Sequence, residues 1–288
     1  MKIHQIRNAT LVCELAGHRI LVDPMLGQRF AHPPLRLFSH CSRNPVVDLP
    51  SEAAALLDTV THCLITHCQR GHFDHLDRPG AKWLRERGIP VICTPHDARY
   101  LARQGLNVEP LAAVPGEPEG WLGGTVTTVR CTHGLGLIGG FMEHGVGYFL
   151  QMPGEPSLYL AGDTVLTDTV RDFVLQHQPQ VSVIPAGGAQ LDIGSEIIMG
   201  IDEALQFAQL ATGQVVANHL EALNHCPVTR RELAARAEQV GLGERLHIPA
   251  DGQALAFNYP VSRQVPPVWQ ASAAAPPAPC RTRGSVAP

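Results

Sequence analysis

The run THCQRGHFDHLD, residues 66–77, places metal-binding side chains close together on one short loop: His67, His72, Asp74 and His75. The apolar segment 61–66 (THCLIT) predicts a buried strand that ends at this loop. Histidine and aspartate are the side chains that bind Zn²⁺, Mn²⁺ or Fe²⁺ when they are grouped in this way. Taken alone, the cluster also fits a surface loop or a pH-sensitive histidine patch.

Further ligand-type side chains stand just past apolar strands that are predicted later in the chain: His133, Asp163 and His219. Each is flanked by glycine, threonine or asparagine, which is typical of the point where a strand gives way to a loop. Separate strand ends that all carry such side chains are difficult to explain as surface histidines. The sequence therefore predicts a metal site that is assembled from several strand ends.

The order of these residues resembles the metallo-β-lactamase superfamily, whose signature loop Thr-His-x-His-x-Asp-His is followed by a His, an Asp and a last His at strand ends. Further segments look like the branch that includes the ascorbate-6-phosphate lactonase group: 6–10 (IRNAT), 17–25 (GHRILVDPM), 184–188 (IPAGG) and 199–204 (MGIDEA). The resemblance covers about residues 1–258. It implies an α/β fold with four layers, αββα, in which two mixed β-sheets lie face to face with helices outside.

The resemblance also implies two divalent metal ions, with zinc expected and manganese or iron as alternatives. The ligands of the first ion correspond to three histidines: His67, His72 and His133. The ligands of the second ion correspond to one aspartate and two histidines: Asp74, His75 and His219. Asp163 would bridge the two ions.

The spacing of the first two histidines departs from the family pattern, because Cys68-Gln69-Arg70-Gly71 separates His67 from His72 where the family has one residue. One interpretation is a three-residue insertion, with a bulged loop that still lets His67 reach the first ion. The other is that His67 has moved away and Arg70 stands in its place, which would leave the first ion weakly bound or absent. Cys68 is a further candidate ligand.

The predicted metal ions suggest hydrolysis. Two cations bridged by a carboxylate can hold a water as hydroxide near neutral pH, because the pKa of the bound water falls from about 15.7 to roughly 7. This hydroxide would cleave a small ester, lactone, amide or phosphodiester, and Asp74 is the predicted catalytic residue that orients it or moves a proton. The alternatives are a nuclease or cyclic phosphodiesterase, and a non-catalytic metal-binding or partner-binding protein that retains the fold.

Outer residues of the site are predicted only by their nearness in sequence. Histidine ligands need a hydrogen-bond partner on the ring nitrogen that does not face the metal, and the candidates are Asp77, Thr132 and Glu221. His225 is predicted either to touch substrate or metal or to belong to an ordinary loop or helix cap. Gly187 either shapes the pocket or forms a tight turn.

Apolar periodicity and turn residues predict that strands and helices alternate along the chain. The predicted strands are 2–6, 9–15, 19–22, 61–66, 91–93, 106–108, 123–131, 145–151, 158–161, 181–184 and 215–217. The predicted helices are 53–57, 79–87, 97–104, 165–177, 201–210 and 229–240, the last with a capping box at Thr229 and Glu232. We predict one metallo-β-lactamase-fold domain over residues 1–260, followed by a disordered tail, 261–288, because that segment is rich in Pro and Ala.

The composition limits the expected partners and location. A formal net charge of −4 and a pI near 6.4 provide no clear surface for nucleic acid, so we expect a small-molecule substrate. The sequence has neither a signal-peptide pattern nor a long apolar run, which predicts a cytoplasmic protein without a membrane partner. The 8 scattered cysteines are expected to be reduced. A homo-oligomer is consistent with the resemblance, although no sequence feature demonstrates one.

Overall fold

The fold, taken from a computed structural model, consists of fourteen β-strands and six α-helices in the residues that the structure describes, 1–68, 72–111, 114–135 and 145–258. The strands are β1 (Lys2–Arg7), β2 (Thr10–Leu15), β3 (His18–Val22), β4 (His62–Leu64), β5 (Pro90–Cys93), β6 (Asn107–Pro110), β7 (Pro118–Trp121), β8 (Gly124–Arg130), β9 (Val146–Gln151), β10 (Leu158–Leu160), β11 (Val181–Pro185), β12 (Gln214–Asn218), β13 (Leu246–His247) and β14 (Ala254–Ala256). The helices are α1 (Ala53–Leu57), α2 (Arg78–Arg87), α3 (Pro95–Arg103), α4 (Asp168–His177), α5 (Ile201–Leu210) and α6 (Arg230–Gln239).

The described strands form two seven-stranded sheets of similar design. The first has the order β14-β1-β2-β3-β4-β5-β6, and the second has the order β13-β12-β11-β10-β9-β8-β7. In the first sheet, β14 to β3 pair antiparallel and β3 to β6 pair parallel. In the second, β7 to β10 pair antiparallel and β10 to β13 pair parallel. Both sheets are therefore mixed, as predicted.

Helices cover each sheet on the side away from the other sheet. The buried side chains of α1, α2 and α3, such as Leu84, pack with the first sheet in one apolar core. Those of α4, α5 and α6, such as Phe207, pack with the second sheet in another. The sheets themselves are joined where the Tyr148 hydroxyl of β9 donates a hydrogen bond to the Ile65 carbonyl oxygen at 2.8 Å. This arrangement confirms the predicted αββα sandwich.

Capping residues decide where several helices begin. Thr229 and Glu232 form the predicted capping box of α6, in which each side chain bonds to the backbone N–H of the other residue. α4 begins three residues later than predicted, because the side chain of Thr167 accepts a backbone hydrogen bond and caps the helix there. α2 is capped by Asp77, whose carboxylate accepts the backbone N–H of Gly80 at 2.7 Å.

The sequence analysis missed β7, β13 and β14. These strands have two to four residues each, and β7 and β14 alternate between half-buried and exposed positions. Such short segments lack the apolar pattern that identifies a strand. Each is an edge strand of its sheet, so its conformation depends on pairing with a neighbour that is distant in sequence or joined by a turn.

The residues Met1–Asn258 form one unit by their internal contacts. The predicted tail, 261–288, lies outside the described residues, so the predicted domain limits stay a prediction. Within the described residues, no helix has both the length and the apolar character that crossing a bilayer requires.

Candidate metal centre

The predicted ligands lie where strands of both sheets end. Four of them follow β4 of the first sheet: His67, His72, Asp74 and His75. The others follow β8, β10 and β12 of the second sheet, which all run in the same direction: His133, Asp163 and His219. The structure brings them together in two groups. The first group is His67, His72 and His133, the second is Asp74, His75, Asp163 and His219, and the ligand atoms of each group lie within 4.8 Å of one another.

The first group consists of imidazole rings that stand nearly at right angles. The ring centres of His67 and His72 are 5.4 Å apart, and those of His72 and His133 are 5.8 Å apart. The Nδ1 of His133 lies 2.8 Å from the carbonyl oxygen of Ile197, which places the proton on Nδ1 and leaves the Nε2 lone pair for a metal. The Nε2 of His67 is buried and has no hydrogen-bond partner among the described residues. A cation would satisfy this nitrogen, so the first group fits a metal ion.

The structure places His67 at the site although four residues separate it from His72. Cys68 instead packs in the apolar core of the first sheet, where burial raises the pKa of its thiol. Residues 69–71, which include Arg70, lie outside the described residues. This arrangement corresponds to the interpretation with a three-residue insertion, and the role of His67 as a ligand stays a prediction.

Asp163 belongs to the second group and also approaches His133 of the first group. Its Oδ2 is 3.0 Å from the Nε2 of His75, 3.4 Å from that of His219 and 3.6 Å from that of His133. A single carboxylate oxygen thus approaches imidazoles of both groups, which is the position required of a bridging ligand. The Oδ2 of Asp74 lies 3.8 Å from the Nε2 of both His75 and His219. Nitrogen and carboxylate oxygen donors in this number suit a divalent metal such as zinc.

The carboxylate of Asp23 supports His75 from the side opposite Asp163. Its Oδ2 accepts hydrogen bonds from the Nδ1 of His75 at 2.8 Å and the hydroxyl of Thr66 at 2.7 Å. Its Oδ1 accepts the backbone N–H of Thr66 at 2.9 Å. Asp23 has a φ of 46°, which is rare for a residue other than glycine. The sequence analysis missed this role, and the one available signal was an aspartate directly after β3.

His219 contacts Asn8 and Cys226, neither of which the sequence analysis identified. The backbone N–H of His219 donates to the carbonyl oxygen of Asn8 at 3.1 Å, and the Nδ1 of His219 lies 3.4 Å from the Sγ of Cys226. The amide nitrogen of Asn8 also donates to the carbonyl oxygen of Asp74 at 3.3 Å. Through these contacts Asn8, in the turn between β1 and β2, holds Asp74 and His219 of the second donor group.

The outer residues predicted from nearness in sequence bond elsewhere. Asp77 caps α2 and also accepts two backbone N–H groups of the loop after β3, at 3.1 and 2.6 Å. Glu221 forms an ion pair with Arg230 at 2.6 Å. The backbone N–H of Thr132 donates to the hydroxyl of Thr164 at 3.0 Å. In the described residues, the groups beside the Nδ1 atoms of the ligand imidazoles include Asp23, Ile197, Cys226 and Thr66, whose hydroxyl lies 3.1 Å from the Nδ1 of His67.

His225 and Gly187 adjoin His219 without joining the donor groups among the described residues. The Nδ1 of His225 lies 3.8 Å from the Sγ of Cys226, and its ring centre lies 6.2 Å from that of His219. A Cβ atom at Gly187 would lie 2.0 Å from the carbonyl oxygen of His219. Gly187 is therefore required for close backbone approach beside the site.

Charges within the site shift the pKa of several groups in opposite directions. Burial lowers the pKa of His75 and of His219, but the surrounding acidic groups together outweigh it, so that both pKa values lie well above the usual value. These groups are Asp163, Asp23 and Asp74 at His75, and Asp163 and Cys226 at His219. The same two imidazoles outweigh burial at Asp163 and hold its pKa well below the usual value. At His67 and His133 burial dominates and lowers the pKa. Without metal ions, the second group therefore carries protons, whereas His67 and His133 are neutral.

Comparisons with known proteins identify the family. The family model described as the Beta-lactamase superfamily domain matches residues 18–220. The UPF0173 protein YddR of Bacillus subtilis is 32% identical over 266 residues, which are 89% of this chain and 100% of that protein. A UPF0173 metal-dependent hydrolase of Azorhizobium caulinodans is 30% identical over 195 residues, which are 65% of this chain and 73% of that protein.

One solved structure is similar to this chain in both fold and sequence. The crystal structure of isothiocyanate hydrolase from Delia radicum gut bacteria has a TM-score of 0.80 and 31% sequence identity, and the match covers 89% of this chain and 99% of that one. The narrower resemblance to the ascorbate-6-phosphate lactonase branch stays a prediction. The fold, the order of the donor residues and these similarities together establish that the chain belongs to the β-lactamase superfamily.

Proposed function

We propose that this protein is a metal-dependent hydrolase that acts on a small-molecule substrate. The observation that carries the proposal is the meeting of both donor groups at one carboxylate oxygen, Asp163 Oδ2, which lies 3.0 to 3.6 Å from three imidazole nitrogens. Such a donor set suits two divalent ions, with zinc expected. The name metal-dependent hydrolase, which the Azorhizobium relative carries, supports the same function.

Divalent ions, when bound, lower the pKa of a water, polarise the bond under attack and stabilise the developing negative charge. The chain contributes by orienting ligand imidazoles, because the partners on the Nδ1 of His75 and of His133 direct the Nε2 of these rings toward the site. Burial alone would raise the pKa of Asp74. The neighbouring imidazoles, above all that of His75, lower it by more, so the pKa lies below its usual value. Asp74 is therefore ionised near neutral pH, and its carboxylate can accept a proton from the attacking water.

Isothiocyanates are the substrate class to test first. The isothiocyanate hydrolase from Delia radicum gut bacteria matches nearly the full length of the described fold with 31% identity. The central carbon of R–N=C=S is an electrophile, and addition of one water gives an amine and carbonyl sulfide. Esters, lactones, amides and phosphodiesters follow, since the same site can act on a carbonyl carbon or a phosphorus.

The test uses protein loaded with zinc or manganese, with metal content measured and hydrolysis followed for benzyl isothiocyanate and for one probe of each other class. We expect about two ions per chain and turnover of at least one probe. Asp163→Ala should lose about 100-fold or more of the activity, whereas Thr229→Ala, which alters only the exposed cap of α6, should retain it.

Absence of bound metal under metal-replete conditions would overturn the proposal. Bound metal without turnover of any probe would instead favour a non-catalytic metal-binding protein. Activity confined to phosphodiesters would favour the nuclease or cyclic phosphodiesterase. A cytoplasmic location and a homo-oligomer stay predictions, to be tested by fractionation and by the mass in solution.

A further inference from the structure

The sulfur of Cys226 lies between two imidazoles at the edge of the second donor group. Its Sγ is 3.4 Å from the Nδ1 of His219 and 3.8 Å from the Nδ1 of His225. Cys226 is 8% exposed, so water has little access to these contacts. His219 belongs to the second donor group, whereas His225 does not.

A neutral imidazole that gives its Nε2 lone pair to a cation carries its proton on Nδ1 and needs an acceptor there. The carboxylate of Asp23 accepts from His75, and the carbonyl oxygen of Ile197 accepts from His133. The hydroxyl of Thr66 lies 3.1 Å from the Nδ1 of His67. At His219 the group beside Nδ1 is instead a sulfur. The sulfur can accept this proton as a thiol or as a thiolate.

The backbone around Cys226 is shaped to keep the sulfur in this place. A Cβ at Gly187 would lie 2.0 Å from the carbonyl oxygen of His219, and 3.1 and 3.2 Å from the Cβ and Sγ of Cys226. His219 itself has a φ of 57°, and its backbone N–H is bonded to the carbonyl oxygen of Asn8. Any other residue at 187 would separate the two segments that bring Nδ1 and Sγ together. Gly187 thereby acquires a role that its nearness to the site in sequence left open.

We propose that Cys226 is a positioning residue of the second donor group, in which its Sγ accepts the Nδ1 proton of His219 and directs Nε2 toward Asp163. The inference rests on the proposed metal-dependent function. A purely structural role would require only a side chain that fills the space of the Cys226 thiol. The proposed role also requires an atom at this place that accepts a hydrogen bond. Loss of the acceptor frees His219 to move its proton to Nε2, where the proton competes with the metal ion.

The experiment measures the affinity of metal-free full-length protein for Co²⁺ and Zn²⁺ by competition with a chelator, and records the visible absorption of the cobalt form. Cys226→Ala removes the acceptor, Cys226→Ser replaces it by a hydroxyl oxygen, and Cys226→Val fills the volume without one. Cys13→Ala is the matched control, since Cys13 is fully buried in β2 and its thiol lies in the apolar core. Unfolding of each metal-free variant is measured in parallel.

We expect Cys226→Ala and Cys226→Val to weaken one of the two binding steps by about 10- to 100-fold and to alter the cobalt spectrum. Cys226→Ser should bind more tightly than either, and Cys13→Ala should bind like the parent even where it unfolds more easily. Parent-like binding by Cys226→Val, or an equal loss in Cys13→Ala, overturns the inference while the proposed function stands. A parent protein that binds no metal overturns both.

Discussion

Replacing Asp23 by asparagine tests whether this carboxylate orients His75 for metal binding. The new side chain keeps one oxygen, which can still accept the backbone N–H of Thr66. Its amide nitrogen, however, stands where Oδ2 accepted from Thr66 and His75. The hydroxyl of Thr66 can rotate to accept a hydrogen bond, but the Nδ1–H of His75 now faces another donor. We therefore expect the proton of His75 to move to Nε2, the nitrogen that lies 3.0 Å from Asp163 Oδ2.

The size of the effect follows from the contacts that are lost. Removing an outer partner of a histidine ligand weakens metal binding by about 10- to 100-fold, which equals about 1.4 to 2.7 kcal/mol of binding free energy. Asp23 is 1% exposed, so water does not replace the lost acceptor. Loss of a hydrogen bond to a charged group should also lower the free energy of unfolding of the metal-free protein by about 1.5 to 3 kcal/mol.

The assay is a chelator competition with the metal-free protein, combined with urea unfolding. Asp77→Asn is the matched control, because Asp77 is also a buried carboxylate that accepts three backbone N–H groups, yet it serves α2 and the loop after β3. It should lose stability without losing metal affinity. Parent-like affinity for both ions in Asp23→Asn, or an equal loss of affinity in Asp77→Asn, would refute the reasoning.

Three further predictions concern protons, packing and capping. Because the pKa of His75 and of His219 is raised in the metal-free protein, metal binding displaces protons, and affinity should rise with pH by up to about tenfold per unit for each displaced proton until those pKa values are passed. Calorimetry in buffers of different ionisation enthalpy detects this release, and an affinity independent of pH contradicts it. Gly187→Ala puts a Cβ 2.0 Å from the carbonyl oxygen of His219 and should lower the free energy of unfolding by about 1 to 3 kcal/mol in urea. Thr229→Ala removes the capping box of α6 and should cost about 1 kcal/mol in the same assay, and a change in its metal affinity would speak against a purely local cap.

The central strands and the donor residues could be predicted because their signals are local. β2 and β3 carry the apolar segments LVC and ILV, and the predicted ligands lie in the loops that follow strands. The two short edge strands β13 and β14 could not be predicted, since their conformation comes from pairing with β12 and β1.

The outer partners of the ligands could not be predicted for a related reason. Asp23 and Thr66 are 43 positions apart, and Asn8 and His219 are 211 positions apart, so that only the folded chain places them together. Nearness in sequence favoured Asp77, which the chain uses to begin α2. A residue beside a metal ligand in sequence has its backbone fixed by the same turn, and its side chain is then often needed by that turn.

Each donor group takes its side chains from loops of both sheets, so metal binding would affect the stability of the whole fold and its resistance to proteolysis. His67 and His72 meet His133, and Asp74 and His75 meet Asp163 and His219, so that an ion in either group would link the first sheet to the second. At a free ion concentration 100 times the dissociation constant, one such ion adds about 2.7 kcal/mol to the free energy of unfolding. Metal supply would then govern how long the chain survives proteolysis, and starvation for the ion would lower the amount of protein as well as its turnover.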